Sequence, residues 1–244
     1  MPADGPEFFD DPEVFEQYAQ HRQSRDNPND TMEKPIVLQL LGRVEGARIL
    51  DLGCGDGRFG RELLNARASS YFAIDGSARM VGAAIDNLSG TGGGVIHADM
   101  RSWSFPLNAF DIVLSRLAFH YVENLDELLH KVYGSLNSGG RIVFSVEHPV
   151  LTSCGRALPA GAIHQDWIVD NYFNVGERIT QWMGGVVTKY HRTVEEYFTS
   201  LRKAGYVIED IREGRPDAER FSAYQNFERR KRIPLFLIFN ACKP

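Results

Sequence analysis

Apolar positions along the chain change period several times, and each change marks an element. Near the start, Phe15, Tyr18 and Ala19 share one helical face. The polar run Asp26-Asn27-Pro28-Asn29-Asp30 breaks that helix, and Thr31-Met32-Glu33-Lys34-Pro35 opens another, with a capping residue ahead of a first-turn proline. At Ile49-Leu50-Asp51-Leu52 a short apolar run carries an acid, and glycines at 53, 55 and 57 turn it into the helical spacing of Phe59, Leu63 and Leu64. The alternation then repeats. Tyr71 to Asp75, Val95 to Met100, Phe110 to Ser115 and Arg141 to Val146 read as buried strands, with a loop at Gly90 to Gly94 and a helix through Leu125, Leu128, Leu129 and Val132. Thr193 to Ala204 reads as a helix closed by Gly205, Tyr206 to Ile211 as a sixth strand, Asp217 to Arg232 as a charged helical stretch, and Ile233 to Phe239 as a last buried strand. Strands alternating with helices predict a doubly wound, Rossmann-like α/β sheet of seven strands. Between Val150 and Tyr190 the periodicity fails, and a loop this long inside a compact domain is usually functional.

The 244 residues, 43% of them hydrophobic, suffice for one α/β domain with an added segment. The expected organisation is an N-terminal helical segment over 1–45 and a main domain over 46–244, with a cap inserted at about 150–190. A formal charge of -5 gives no general field for phosphate backbones, so nucleic acid is disfavoured as a partner. The basic run Arg229-Arg230-Lys231-Arg232 reads as the solvated end of a helix. Cys54, Cys154 and Cys242 are too scattered for a disulfide framework or a metal site, which fits a reducing cytoplasm. The stretch from Met1 to Glu16 is acidic without an apolar core, and no apolar run reaches the length of a membrane span. A soluble, cytoplasmic, unprocessed protein is expected, with no membrane partner.

The glycine turn after Leu52 is the strongest chemical signal. Glycines let a ligand approach the backbone, and the helix start beyond them aims free N–H groups at it. A dinucleotide fingerprint would place a third glycine where Arg58 stands. Asp75, closing the second strand, sits where an acid accepts ribose hydroxyls. The competing role for Asp75 is a helix cap ahead of Ser77. Glu147-His148-Pro149 follow the fifth strand, at the crevice where open α/β sheets bind ligands, so His148 is a candidate base.

The stretch Ile49-Leu50-Asp51-Leu52-Gly53-Cys54-Gly55-Asp56-Gly57 resembles motif I of the class I S-adenosylmethionine-dependent methyltransferases. Tyr18-x-x-x-Arg22, Asn29-Asp30 and Glu33-Lys34-Pro35 resemble the lead-in of a bacterial subgroup acting on small molecules, as do Ser145-Val146-Glu147-His148-Pro149 and His191-Arg192-Thr193. The resemblance implies a reversed last hairpin whose final strand is antiparallel, and residues 1–45 lying across the cofactor as a lid. It implies S-adenosylmethionine as cofactor and S-adenosylhomocysteine as product, with Asp51, Gly53, Cys54 and Gly55 in the binding turn and Asp75, Gly76 and Met80 around the ribose. Asp99 would accept from the adenine amino group, the Met100 backbone would read a ring nitrogen, and Arg116 would lie beside the methionine moiety. Arg22 would reach the cofactor carboxylate, unless it is simply an exposed helical arginine.

Transfer to a hydroxyl or protonated amine needs a base, and His148 and His191 compete for that role. Tyr18, His120, Trp167, Tyr172, Arg178 and Trp182 are the expected acceptor contacts, supplying aromatic walls and a bidentate cation. Alternatively the aromatics pack the cap's own small core, and His120 merely packs. Without an Asn-Pro-Pro-Tyr tetrapeptide or a Pro-Cys nucleophile, small-molecule acceptors remain. Two readings compete, an NAD(P)-dependent oxidoreductase and a non-catalytic cofactor-binding partner subunit. The oligomeric state is not fixed by the sequence, a homodimer being one option, and no metal is expected.

Overall fold

A computed structural model describes residues 2–154 and 166–244. The chain opens with α1 (Gly5–Asp10) and α2 (Pro12–Arg22); Asp4 and Asp11 accept first-turn N–H groups, and a proline stands in each first turn. A π-helical turn over Asn29–Glu33 leads into α3 (Lys34–Leu41). Then β1 (Arg48–Leu52), α4 (Arg58–Asn65), β2 (Ser70–Asp75), α5 (Ala78–Leu88), β3 (Gly94–His97) and β4 (Phe110–Arg116) follow in alternation. After a 3-10 turn at Phe119–Tyr121 come α6 (Leu125–Ser135), β5 (Leu136–Glu147) and α7 (Pro149–Thr152). The described chain resumes before a hairpin of β6 (Gly176–Trp182) and β7 (Gly185–His191), and ends through α8 (Val194–Lys203), β8 (Val207–Glu213), α9 (Tyr224–Arg230) and β9 (Phe236–Cys242).

Seven strands form one sheet in the order β3-β2-β1-β4-β5-β9-β8. The neighbours from β3 to β5 are parallel, while β9 runs antiparallel to both β5 and β8, as the resemblance implied. Period-two alternation splits the strand residues between two cores. Leu50, Leu52, Ile74 and Phe144 pack with Leu128 and Leu129 of α6, whereas Ile49, Ala73, Leu114 and Val143 pack with Val37 and Leu41 of α3 and Leu63 of α4. Among the described residues no helix is long and apolar enough to cross a membrane.

Several boundaries depart from expectation. The third strand stops at His97, which leaves Asp99 and Met100 in the turn beyond it. The last strand begins at Phe236 rather than Ile233, because Pro234 has no N–H for the ladder. The charged stretch 217–232 holds only a 3-10 turn and the short α9. The supposedly irregular cap contains the β6–β7 hairpin, closed by Met183 (φ 46) and Gly184 (φ 76), the left-handed pair that matches strand twist. Residues 155–165 of the expected cap lie outside the described residues.

The hairpin and the N-terminal helices form one roof. Ala3 donates its N–H to the Val186 carbonyl (2.9 Å) and accepts from Thr188 N (3.0 Å), adding a one-residue strand beside β7. Beneath that bridge Phe8, Val14 and Val187 form a third small core, with Phe9, Tyr121, Trp182 and Met183 packed against it.

Candidate active site

The roof covers a cavity of about 410 Å³ at the carboxyl ends of the central strands. Its floor is the turn between β1 and α4. Gly53 (φ 74) packs so closely that a Cβ there would lie 2.5 Å from Ala118 Cβ. Gly55 (φ 56) is different, since a Cβ there would meet nothing within 4 Å and would project into open space. Both positions need left-handed backbone, and Gly55 also leaves room for a ligand.

Asp75 closes β2 with both oxygens aimed back at this floor. Its Oδ2 accepts Gly55 N (2.8 Å) and its Oδ1 accepts Ser77 N (2.9 Å). Ser77 Oγ itself caps α5 by accepting Met80 N, so the helix-cap role belongs to Ser77. Burial pushes Asp75 up to about 6 against the two backbone N–H bonds. Asp51 is still more enclosed. Its Oδ2 accepts the Tyr71 hydroxyl (2.7 Å), and its Oδ1, also buried, finds no hydrogen-bond partner among the described residues. Burial pushes this acid up to about 7, with the Tyr71 bond opposing.

Cys54, Gly76, Met80, Asp99 and Met100 also line the cavity. Burial drives the Cys54 thiol well up, which keeps it protonated. Asp99 is clamped by Arg101, whose Nε donates to both carboxylate oxygens at 2.9 Å. Burial would raise Asp99, but Arg101 outweighs it and holds the carboxyl below its usual range. The same guanidinium reaches Asp4 Oδ2 (2.6 Å), tying the start of α1 to this wall. Pro6 lies directly over Gly76, where a Cβ would come within 2.6 Å of its ring.

Arg22 and Arg116 line the cavity as well. Arg22 donates to Asn27 Oδ1 (3.1 Å) and Asp30 Oδ1 (3.0 Å), so it is a fixed cavity group and not a free surface arginine. Arg116 donates through Nε to both oxygens of the fully buried Glu33 (3.1 and 3.0 Å) and lies 4.4 Å over the Phe59 ring. Ser145 Oγ donates to the same Glu33 (2.6 Å). This network, which the sequence analysis did not anticipate, ties the lead-in segment to β4 and β5.

Beyond Arg116 the cavity becomes aromatic. Phe9, Tyr18, Tyr121 and Trp182 line it with edge-to-face contacts, Phe9 to Tyr18 at 5.2 Å and Tyr18 to Trp182 at 6.1 Å. Tyr18 and Trp182 were expected here; Phe9 and Tyr121 were not. His120 also lines the space. Burial pushes it down to about 4, and it is neutral. Its Nδ1 accepts Glu147 N (3.4 Å), which places the proton on Nε2.

The expected bases lie elsewhere. His148 turns away from the cavity to cap α7: its Nδ1 accepts Val150 N (3.2 Å) and its Nε2 pairs with Glu213 Oε1 (3.1 Å). His191 is wholly buried, its Nε2 donating to the Tyr172 carbonyl (2.9 Å) and its Nδ1 bonded to the Thr152 hydroxyl (2.7 Å). Both nitrogens of each ring are committed, and neither residue lines the cavity. The other cap residues are corrected likewise. Trp167 stacks under the Arg232 guanidinium (5.0 Å), Tyr172 accepts Val194 N at the start of α8 (3.2 Å), and Arg178 donates to the carbonyls of Ser153, Asn174 and Glu177. They hold the cap's outer side together.

Glu147, one residue before His148, takes the place facing the cavity. Its Oε1 accepts Lys189 Nζ (2.6 Å) from β7; the lysine side chain is 4% exposed, the glutamate 28%. Lys189 Nζ also lies 5.1 Å from the Trp182 ring and 5.8 Å from that of Tyr121.

Comparison with known proteins agrees with this geometry. Residues 50–144 match the family model described as a methyltransferase domain. The solved S-adenosylmethionine-dependent methyltransferase of Mesorhizobium loti is 32% identical and superposes with a TM-score of 0.77 over 91% of this chain and 99% of that one. An uncharacterized Haemophilus influenzae protein is 31% identical over 84% of this chain and 85% of its own length. A trans-aconitate 2-methyltransferase of Mycolicibacterium gilvum is 35% identical over 55% of this chain, which covers 48% of that relative.

Proposed function

The chain belongs to the S-adenosylmethionine-dependent methyltransferases, and from that premise we propose that it methylates a small molecule held between the aromatic wall and Glu147. The observation that carries this reading is the continuity of the cavity. One enclosed space runs along the strand ends from Asp99 and Asp75, past the glycine turn, to Glu147 at the end of β5. It has an acid-lined end suited to the cofactor and an aromatic end under a roof suited to a small acceptor.

The residues present fit the cofactor. Gly55 leaves clearance, Asp75 offers acceptor lone pairs for ribose hydroxyls, and Asp51 Oδ1 is a buried acceptor in need of a donor such as the cofactor's ammonium. Asp99 and the Met100 backbone would hold the base, with Gly76 and Met80 beside the ribose and Arg22 and Arg116 at the methionine end. The bound cofactor supplies an electrophilic methyl on sulfur. The chain's part is to orient the acceptor for in-line approach and to exclude water under residues 1–45 and the hairpin, an effect worth about 7–11 kcal/mol at most.

Calorimetry with S-adenosylhomocysteine and NAD, followed by an acceptor screen with methyl-labelled cofactor, tests the reading. S-adenosylhomocysteine should bind, NAD should not, and label should enter small molecules. Transfer only to protein or nucleic acid would overturn the small-molecule proposal.

A further inference from the structure

The charges around the cavity point to the class of acceptor, given the methyl-transfer reading above. Among the described residues, each Arg and Lys lining the cavity is already committed to a carboxylate: Arg22 to Asp30, Lys34 to Glu62, Arg58 to Asp56, Arg101 to Asp4 and Asp99, and Arg116 to Glu33. Among the described residues, Lys189 is the cation near the aromatic end; it is almost wholly buried and bonded to Oε1 of Glu147. Oε2 of Glu147 makes no hydrogen bond among the described residues, and Glu147 lines the cavity. An incoming acceptor therefore meets the Glu147 carboxylate, the aromatic side chains of Phe9, Tyr18, Tyr121 and Trp182, and the neutral His120.

That surface complements a hydrogen-bond donor on a flat or apolar body. It opposes a carboxylate, because two carboxylates in one site cannot both stay ionised cheaply. The acceptor class named for the Mycolicibacterium relative, trans-aconitate, is thus a poor match here. We propose that Glu147 selects the acceptor: Oε2 receives the O–H or N–H of the nucleophile in an uncharged or cationic ring-bearing molecule and takes its proton, with Lys189 as the residue that positions it. The acceptor's lone pair forms the new C–O or C–N bond, the methyl–sulfur bond breaks with its electron pair on the thioether product, and the released proton goes to Glu147. His120 and Tyr121 face Glu147 from the 3-10 turn, Lys189 from β7 and Tyr197 from α8. Burial would raise Glu147, but the Lys189 ammonium bonded to it holds the carboxyl below its usual range.

The test is calorimetric titration of phenethylamine, catechol and phenylacetate into the protein saturated with S-adenosylhomocysteine. At least one donor probe should bind about tenfold or more tighter than phenylacetate. Glu147→Gln should remove that preference while S-adenosylhomocysteine affinity stays within about threefold, which doubles as the folding control. Lys189→Met should move the pH at which probe binding is half lost upward by about one unit or more, a shift that a packing role would not produce. Should Glu147→Gln not fold, the wild-type ranking and the Lys189→Met profile decide. Tighter binding of phenylacetate, no binding of either donor probe, or an unchanged Glu147→Gln variant overturns the role of Glu147. Failure of the wild type to bind S-adenosylhomocysteine would instead overturn the methyl-transfer reading beneath it.

Discussion

The two ends of the cavity are built by different means. The cofactor end stands on strand termini: Gly53 and Gly55 after β1, Asp75 at the end of β2 and Arg116 at the end of β4 are fixed by the central ladder of a buried sheet. The acceptor end hangs from a roof: Phe9, Tyr18 and Trp182 come from α1, α2 and β6, joined by the Ala3 bridge and a core of three buried residues. From the sheet, Glu147 of β5 and its partner Phe236 of β9 reach that end. The division lets one end bind an invariant cofactor rigidly while the other is reshaped without touching the sheet.

Substitutions at the two ends should separate accordingly. Gly55→Val is the harshest, because a branched side chain at φ 56 strains the turn and fills the clearance; S-adenosylhomocysteine binding should fall below detection by calorimetry while the sheet still folds by circular dichroism. Asp75→Ala comes next, costing about 2 kcal/mol of cofactor affinity through loss of a buried acceptor. If it binds like wild type, Asp75 serves only the Gly55 and Ser77 backbone. Trp182→Ala should lower methyl transfer about tenfold and leave S-adenosylhomocysteine affinity within about threefold, with a lower melting temperature because Trp182 also stacks on Phe8 (5.7 Å). An equal loss of both activities would mean that the roof and the floor are not separable.

Acidity probes the cofactor end alone. Asp75 is pushed up to about 6 in the free protein, and hydroxyl donors favour its charged form, so binding should lower that value. Asp51, pushed up to about 7 and facing the cofactor's ammonium, should behave alike. Affinity for S-adenosylhomocysteine should therefore be flat above about pH 8 and weaken below it by up to about tenfold per unit for each acid that takes up a proton, read by titrations at stepped pH. The smallest effect is expected at His148→Ala, which should leave cofactor binding and methyl transfer near wild type and cost about 1 kcal/mol of stability through the lost α7 cap. A large loss of methyl transfer there would return His148 to the reaction.

The same division governs what the sequence discloses. The sheet was legible because apolar runs such as Ile49 to Leu52 and Tyr71 to Ile74 are buried on both faces and end in acids at a fixed place in the fold. The roof was hidden for a physical reason. The inward face of β7 is Val187, Lys189 and His191, two of them polar, so its alternation does not register as apolar against polar. Phe8 and Phe9 sit in a six-residue helix, too short to display a period. Trp167 and Tyr172 misled in the other direction, being aromatic yet engaged on the outer side of the cap. Glu147 and not His148 lines the cavity, because the strand's alternation ends there: Val146 faces the core, Glu147 the cavity, and His148 turns to start α7. Its partner Lys189 is 42 residues away, a pairing that no local spacing reveals.

The bridge at Ala3 carries a consequence for the catalytic cycle. Pro6 closes over the cofactor's strand ends and Trp182 over the acceptor's, yet the two covers are one body, since Ala3 shares hydrogen bonds with both sides of Val187. On the proposed function, spent cofactor and methylated product would therefore leave through a single door. Their departures are expected to be governed by one opening rate, and the turnover number would then report how often the door swings rather than how fast the methyl moves.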